Sequence, residues 1–287
     1  MTLRLKYHVK EADHGKRLGS FLKNQHLSRR SLTCLKHRGG SITVNKEKQK
    51  VRYMLGAGDV VEVLFPAEPV SGQLKAIPVE VEIVYEDAYL LVVNKQKGLP
   101  VMSTATHEVT LINGILAHYQ EIQLESTVHV VNRLDKDTSG LMVIAKYRHV
   151  HYLMTKSVQS INRQYYALVQ GVLEGAGIID APILRPSPDS VKRIVDARGK
   201  QAITYYEPIQ TCGNRTLVRC KLHTGRTHQI RVHLSHLGYP IIGDPLYGRA
   251  ETGEGQWLHS YYLEFEHPIS GEIMTFETKI PERFDCL

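Results

Sequence analysis

Several things are scarce in this chain. Cysteine occurs four times in 287 residues, at Cys34, Cys212, Cys220 and Cys286, and no two form a CxxC pair. That scatter argues against a zinc ribbon or a disulfide framework and fits a reducing cytoplasm, the expected location. No stretch approaches the roughly 20 apolar residues that span a bilayer, so no membrane partner is expected. The opening MTLRLKYHVKEADHGKR lacks the apolar core of a secretory signal. Neither G-x-G-x-x-G nor a P-loop occurs, so no nucleotide cofactor is expected. No internal repeat or low-complexity tract interrupts the chain.

What is present is globular in proportion. Hydrophobic residues make up 42% and charged residues 23%, over a length that suits one large or two ordinary domains. The net charge of +7 is unevenly spread. Residues 1–65 hold 14 Lys/Arg against 5 Asp/Glu, and residues 66–287 hold 22 against 24. A module of net +9 on a body of net −2 suggests a polyanion-binding part and a separate working part.

Within the module, Leu18, Phe21 and Leu22 recur at helical spacing. Ser28 is placed to cap a second helix, SRRSLTCLKHR, which Gly39-Gly40 ends. SITVN and DVVEVLF follow as strands. Lys16, Arg17, Arg29, Arg30, Lys36, Arg38, Asn45 and Lys46 are the candidate RNA contacts, through phosphates. No aromatic platform accompanies them, so folded RNA fits better than stacked single strands. The stretch RLGSFLKNQHLSRRSLTCLKHRGGSITVNKEK resembles the S-four-type RNA-binding domain, a small α/β module shared by a ribosomal protein and many RNA-modifying enzymes.

Residues 66–78, PAEPVSGQLKAIP, read as an extended linker between the module over 1–65 and a body over 79–287. The body is rich in strands: VEVEIVYED, YLLVVNK, LMVIAK, QYYALVQG, AITYYEPI, TLVRCKLHT and YYLEFEHP. Helices are expected near 110–120, 149–159 and 228–237. Strands that do not alternate regularly with helices indicate an α+β fold with a mixed, mainly antiparallel sheet.

Three segments carry candidate chemistry. In VVNRLDKDTSGLMVIAK, Arg133, Asp135, Asp137, Thr138 and Ser139 crowd into a polar turn. Such residues also serve as plain turn formers. In TLVRCKLHTGRTHQIRVHLSHLGYPIIGDPLYG, Thr227 is a plausible N-cap and Arg231 lies at the edge of the helix's apolar face. His233 and His236 share a helix face, as metal ligands do, but no H-E-x-x-H or neighbouring cysteine supports them, and no metal is expected. In NRQYYALVQG, Tyr165 shares a strand face with Ala167 and Val169.

Together these segments resemble the RluA-type pseudouridine synthases, isomerases that convert uridine to pseudouridine in structured RNA. The resemblance spans about residues 80–282. It implies a pseudouridine synthase fold, a catalytic aspartate at Asp135, an active-site tyrosine at Tyr165 and a basic partner at Arg231. Around these, Arg133, Asn132, Thr138, Arg226 and His228 are expected to contact substrate. Two positions depart from the family pattern. Asn132 stands where a histidine is usual, and Gln96 stands where Asn-Lys-Pro has its proline. The implied reaction is redox-neutral and needs no cofactor. The S-four-type appendage favours large-subunit ribosomal RNA as substrate. A monomer is the expected working form. Transfer RNA, a catalytically silent RNA-binding protein and a metal-dependent hydrolase are the alternatives.

Overall fold

The computed structural model describes residues 2–70, 74–102, 109–156, 161–248 and 255–284. The basic module contains β1 (Arg4–His8), α1 (Leu18–Asn24), α2 (Arg29–His37), β2 (Ser41–Val44), β3 (Glu47–Lys48) and β4 (Val60–Leu64). Its sheet runs β1-β4-β2-β3, all antiparallel. Ser28 caps α2 by accepting the Ser31 amide at 3.0 Å. Leu18, Phe21, Leu22, Leu32 and Leu35 turn the apolar faces of both helices into the core.

The body holds β5 (Glu82–Glu86), β6 (Leu90–Lys95), α3 (Leu111–Glu121), β7 (His129–Val130), β8 (Ser139–Ala145), α4 (Arg148–Lys156), β9 (Asn162–Gln170) and β10 (Gly177–Asp180). It continues through β11 (Ile183–Leu184), β12 (Ile194–Val195), β13 (Ile203–Cys212), β14 (Arg215–Leu222), α5 (Gln229–His236), β15 (Leu258–Glu266) and β16 (Ile273–Glu277). A ten-stranded sheet runs β10-β13-β14-β9-β15-β8-β6-β5, with β16 on β15 and β7 on β8. The pairing is antiparallel except between β8 and β15. This is the expected α+β class. The sequence runs LLVV and LMVIA become β6 and β8, covered on both faces, as a continuous apolar run requires.

Gly140 makes the parallel contact possible. Its φ is +111°, and a Cβ there would stand 2.2 Å from the Ser260 carbonyl oxygen. A glycine therefore lets β15 approach β8 closely. Since β15 also pairs with β9, the turn before β8 is brought beside Tyr165.

The described parts of residues 66–78 form no helix or strand and are tied to the body. Glu68 accepts from the Arg148 amide at 2.8 Å and meets His129 Nε2 at 2.6 Å. Asn113 Nδ2 donates to the Lys75 carbonyl at 2.7 Å. Phe65 stacks on His149 of α4 with ring centroids 5.1 Å apart. The segment is a strap: one Glu68 carboxylate serves two partners and leaves the chain little freedom there. The helix expected over 149–159 is described only to Lys156; its last residues lie outside the described set.

Candidate active site

Asp135 stands in the turn between β7 and β8, where the Thr138 amide donates to the Asp135 carbonyl at 3.1 Å. The turn is fastened from below by Lys95. Its ammonium donates to the carbonyls of Gln96 (2.9 Å), Leu99 (3.0 Å) and Lys136 (2.9 Å). Lys95 is 1% exposed, and burial lowers its pKa from 10.5 to about 8, against the pull of Asp137 and Asp135. Gln256 Nε2 donates to Thr138 Oγ1 at 3.0 Å and holds the other side.

Arg231 reaches the same point from α5. Its Nη1 donates to Asp135 Oδ2 at 2.7 Å. Its Nε and Nη2 donate to the two oxygens of Asp244, at 2.6 and 2.8 Å. Asp244 is fully buried and also accepts the amides of Leu246 and Tyr247. The guanidinium lies over the Tyr247 ring, 5.2 Å from its centroid. Burial works against the Arg231 charge, but the two carboxylates outweigh it and raise its pKa. A bidentate fork leaves one donor aimed at Asp135 in a fixed direction.

The turn between β14 and α5 is clamped by Gln229. Its Oε1 accepts from the Arg226 amide and the Thr224 hydroxyl, and its Nε2 donates to the Ile203 carbonyl. Thr227 is not the N-cap. His228 holds that position in a left-handed conformation, φ 59°, with no side-chain cap. Its ring is used differently. Tyr247 Oη accepts from the Arg193 amide at 2.7 Å, so its hydrogen can go to His228 Nδ1 at 2.9 Å. The proton of the neutral imidazole then sits on Nε2, which faces Asp135 Oδ1 at 3.9 Å. Burial lowers the His228 pKa and Asp135 opposes this, so the ring is neutral near pH 7.

One cleft of about 60 Å³ gathers Arg133, Asp135, Thr138, Tyr165, Arg226, His228 and Arg231. Tyr165 forms part of its wall. Burial raises the pKa of its phenol and Arg163 opposes the shift. The volume holds one or two waters, so a nucleotide must lie across the open mouth or part the walls.

Asn132 is the expected substrate contact that the structure places elsewhere. Its Oδ1 accepts from the Val143 amide at 2.7 Å and its Nδ2 faces the Leu141 carbonyl at 3.5 Å. The side chain is spent on the β8 backbone, and it does not line the cleft. Asp244, Lys95 and Gln229 were missed as parts of the site. Nothing in local spacing connects Arg231 to an acid 13 residues on, or Lys95 to a carbonyl 41 residues away.

In the module, Arg17, Lys23, Arg29, Lys36 and Arg52 line one groove, and Lys36, Lys48, Lys50 and Arg52 line the next. Lys23, Lys48, Lys50 and Arg52 join the expected cations. Arg30, Arg38 and Lys46 are exposed outside both grooves. Lys16 is paired with Asp13 at 2.7 Å. Asn45 is taken out of the expected set: its Nδ2 donates to Asp59 and its Oδ1 accepts the Val60 amide, so it stabilises a turn. Among the described residues, no three of His, Cys, Asp and Glu are grouped to hold a metal. His233 instead bonds Thr204 and the Ala181 carbonyl.

A ten-stranded sheet thus brings an aspartate turn, a buried arginine and a tyrosine into one cleft. The family model of RNA pseudouridylate synthase matches residues 89–236, and the chain belongs to that family. It is 42% identical to the RNA pseudouridine synthase YjbO of Bacillus subtilis (strain 168) over 264 residues, covering 89% of this chain and 92% of the relative. It is 39% identical to ribosomal large subunit pseudouridine synthase D of Pseudomonas aeruginosa over 263 residues, covering 85% and 82%. Among solved structures, human RNA pseudouridylate synthase domain containing 1 matches with a TM-score of 0.58 at 26% identity, covering 76% and 87%. The protein is a pseudouridine synthase, an isomerase.

Proposed function

We propose that this synthase isomerises uridines in large-subunit ribosomal RNA, with Asp135 as the catalytic carboxylate. The observation that carries the reading is the Arg231–Asp135 contact at 2.7 Å, set by the buried Arg231–Asp244 fork. The reaction breaks the N1–C1′ bond, turns the base and joins its carbon 5 to the same C1′. A carboxylate serves this by attacking C1′, by stabilising an oxocarbenium-like centre, or by removing a sugar proton to give a glycal. Each route needs a carboxylate, and Arg231 Nη1 donates to Asp135 Oδ2 at 2.7 Å. Tyr165 flanks the turning base. A uridine in a helix has to be turned outward first, and exposed Arg133 at the rim braces the opened backbone.

The ribosomal target is supported by relatives such as the Pseudomonas large-subunit synthase. The division into a basic S-four-type module over 1–65, a strap over 66–78 and a body over 79–287 belongs to the same reading. The module's grooves meet RNA phosphates while the body does the chemistry, as a monomer in the cytoplasm. Mapping pseudouridines by chemical labelling in a deletion strain tests the target. Loss of one or more large-subunit sites is expected; loss confined to transfer RNA would move the substrate there.

A further inference from the structure

Arg163 is a buried cation with no counter-charge among the described residues. It is 7% exposed and lies on β9, two residues before Tyr165 and on the same strand face. Its Nε is buried with no hydrogen-bond partner, and it forms no ion pair among the described residues. Burying an unpaired charge is costly, and such groups are normally matched by a counter-charge. The charged groups of the neighbouring cleft are no help. Asp135 and Asp244 are both engaged by Arg231, while Arg133, Arg226 and Arg231 add positive charge.

The direction of the side chain identifies where the missing anion belongs. A Cβ at Gly225 would stand 2.9 Å from Arg163 Nη1, so the guanidinium tip lies directly under the exposed turn that leads into α5. Glycine at that position lets the tip approach the turn closely. The Gly225 and Thr227 amides find no acceptor among the described residues. Unpaired amides ahead of a helix, above a cation, make a seat for an oxyanion.

We propose that Arg163 and the Gly225–Thr227 turn bind a phosphate of the RNA backbone next to the uridine in the cleft. The inference rests on the proposed active site, because it places that phosphate beside Tyr165 and Asp135. It explains why an arginine without a counter-charge among the described residues is kept beneath the turn: the substrate brings its partner. Gripping a flanking phosphate also holds the ribose while the base is turned out.

The test uses the full chain and stem-loops of large-subunit ribosomal RNA, comparing wild type with Arg163→Met and Arg163→Lys. Arg163→Met is expected to weaken RNA affinity about tenfold, the scale of one charge-assisted hydrogen-bonded contact. The loss should fall on KM more than on kcat. The slope of log affinity against log salt should drop by about 0.7–0.9, one phosphate contact. Arg163→Lys should recover the slope. A neutral methylphosphonate at a phosphate flanking the target uridine should weaken wild type and add nothing to Arg163→Met. Unchanged affinity and slope in Arg163→Met overturns the proposal. So does a fall in kcat with KM and slope intact, which would make Arg163 a group acting through Tyr165. If no ribosomal stem-loop is converted, the target reading fails, yet affinity and slope still decide the phosphate seat. If Asp135→Asn keeps turning over, the catalytic assignment fails and the seat stands or falls separately.

Discussion

The cation at the centre of the cleft and the cations of the module's grooves are held in opposite ways. Arg231 is 4% exposed, forked onto a fully buried aspartate and stacked over a tyrosine ring. Lys23, Arg29, Lys36 and Arg52 are exposed and have no ion pairs among the described residues. The first arrangement fixes one donor against one carboxylate. The second leaves long side chains free to find phosphates wherever the RNA presents them. Chemistry at a single carbon needs a set geometry, whereas adhesion to a polyanion needs charge within reach. Substitutions of the Arg231–Asp135 pair should therefore act on kcat, and those in the grooves on KM and its salt dependence.

The largest effect is expected for Asp135→Asn. The amide keeps the shape and loses the charge, so single-turnover conversion should fall by roughly 10⁴-fold, the scale of losing an acidic member of a catalytic set. RNA binding should be nearly unaffected. Wild-type turnover would remove Asp135 from the chemistry.

Asp244→Asn should separate holding from reacting. The residue never faces the cleft, but it holds the fork on Arg231. Breaking a buried pair costs about 3–5 kcal/mol of stability, readable by denaturant unfolding. Activity should fall less than in Asp135→Asn, because Arg231 is loosened but still present. An unchanged unfolding midpoint would mean that the fork is not what sets Arg231.

Lys95 gives the body a pH signature. In the folded chain it loses its proton at about pH 8, against 10.5 for an ordinary lysine. Between those values the unfolded chain keeps a proton that the folded chain has released, so this group makes stability rise with pH across that window. The Asp135 turn loses in the same window, since a neutral amine has two hydrogens for three carbonyls. Activity should therefore show an alkaline limb near pH 8 without a matching loss of melting temperature. Lys95→Met should lower activity and abolish the limb; a limb that persists belongs to another group.

In the grooves, replacing Lys23, Arg29, Lys36 and Arg52 together by Gln should reduce the salt slope by about 3, at roughly 0.7–0.9 per contact. The loss should fall on KM. A lowered kcat at saturating RNA would show that the module helps to shape the cleft, through contacts such as Phe65 on His149.

Much of this contrast was legible in the sequence, for identifiable reasons. Doubly covered strands β6 and β8 announce themselves as unbroken apolar runs, and the charge split needs only counting. Asp135, Tyr165 and Arg231 stand out by likeness to known motifs, and the structure does bring them into one cleft. Strand β1, RLKYH, escaped notice because its alternation lies inside a charged stretch and its partner β4 is more than 50 residues away. The Arg231–Asp244 fork and the three carbonyls on Lys95 are products of tertiary packing, for which local spacing carries no signal. Asn132 and Asn45 misled for the opposite reason. A polar residue beside a motif suggests a ligand contact, yet an asparagine amide bonds backbone just as well.

Asn132 offers the smallest expected effect and the finest test of that last point. It stands where the family pattern that the motif resembles has histidine, so Asn132→His should show whether a titrating ring adds anything. The structure says it does not. Asn132 Oδ1 accepts the Val143 amide at 2.7 Å, and one nitrogen of a neutral histidine can accept the same hydrogen. With that bond kept, stability should change by less than about 1 kcal/mol. The kcat profile should gain no limb near pH 6.5, because the ring would face β8 and not the nucleotide. Asn132→Ala removes the acceptor and leaves a buried amide unmatched, at a cost of about 1–3 kcal/mol. Stability that falls in the alanine variant while kcat holds in both assigns the position to the backbone of β8. A new acid limb in the histidine variant would instead bring the side chain back into the reaction.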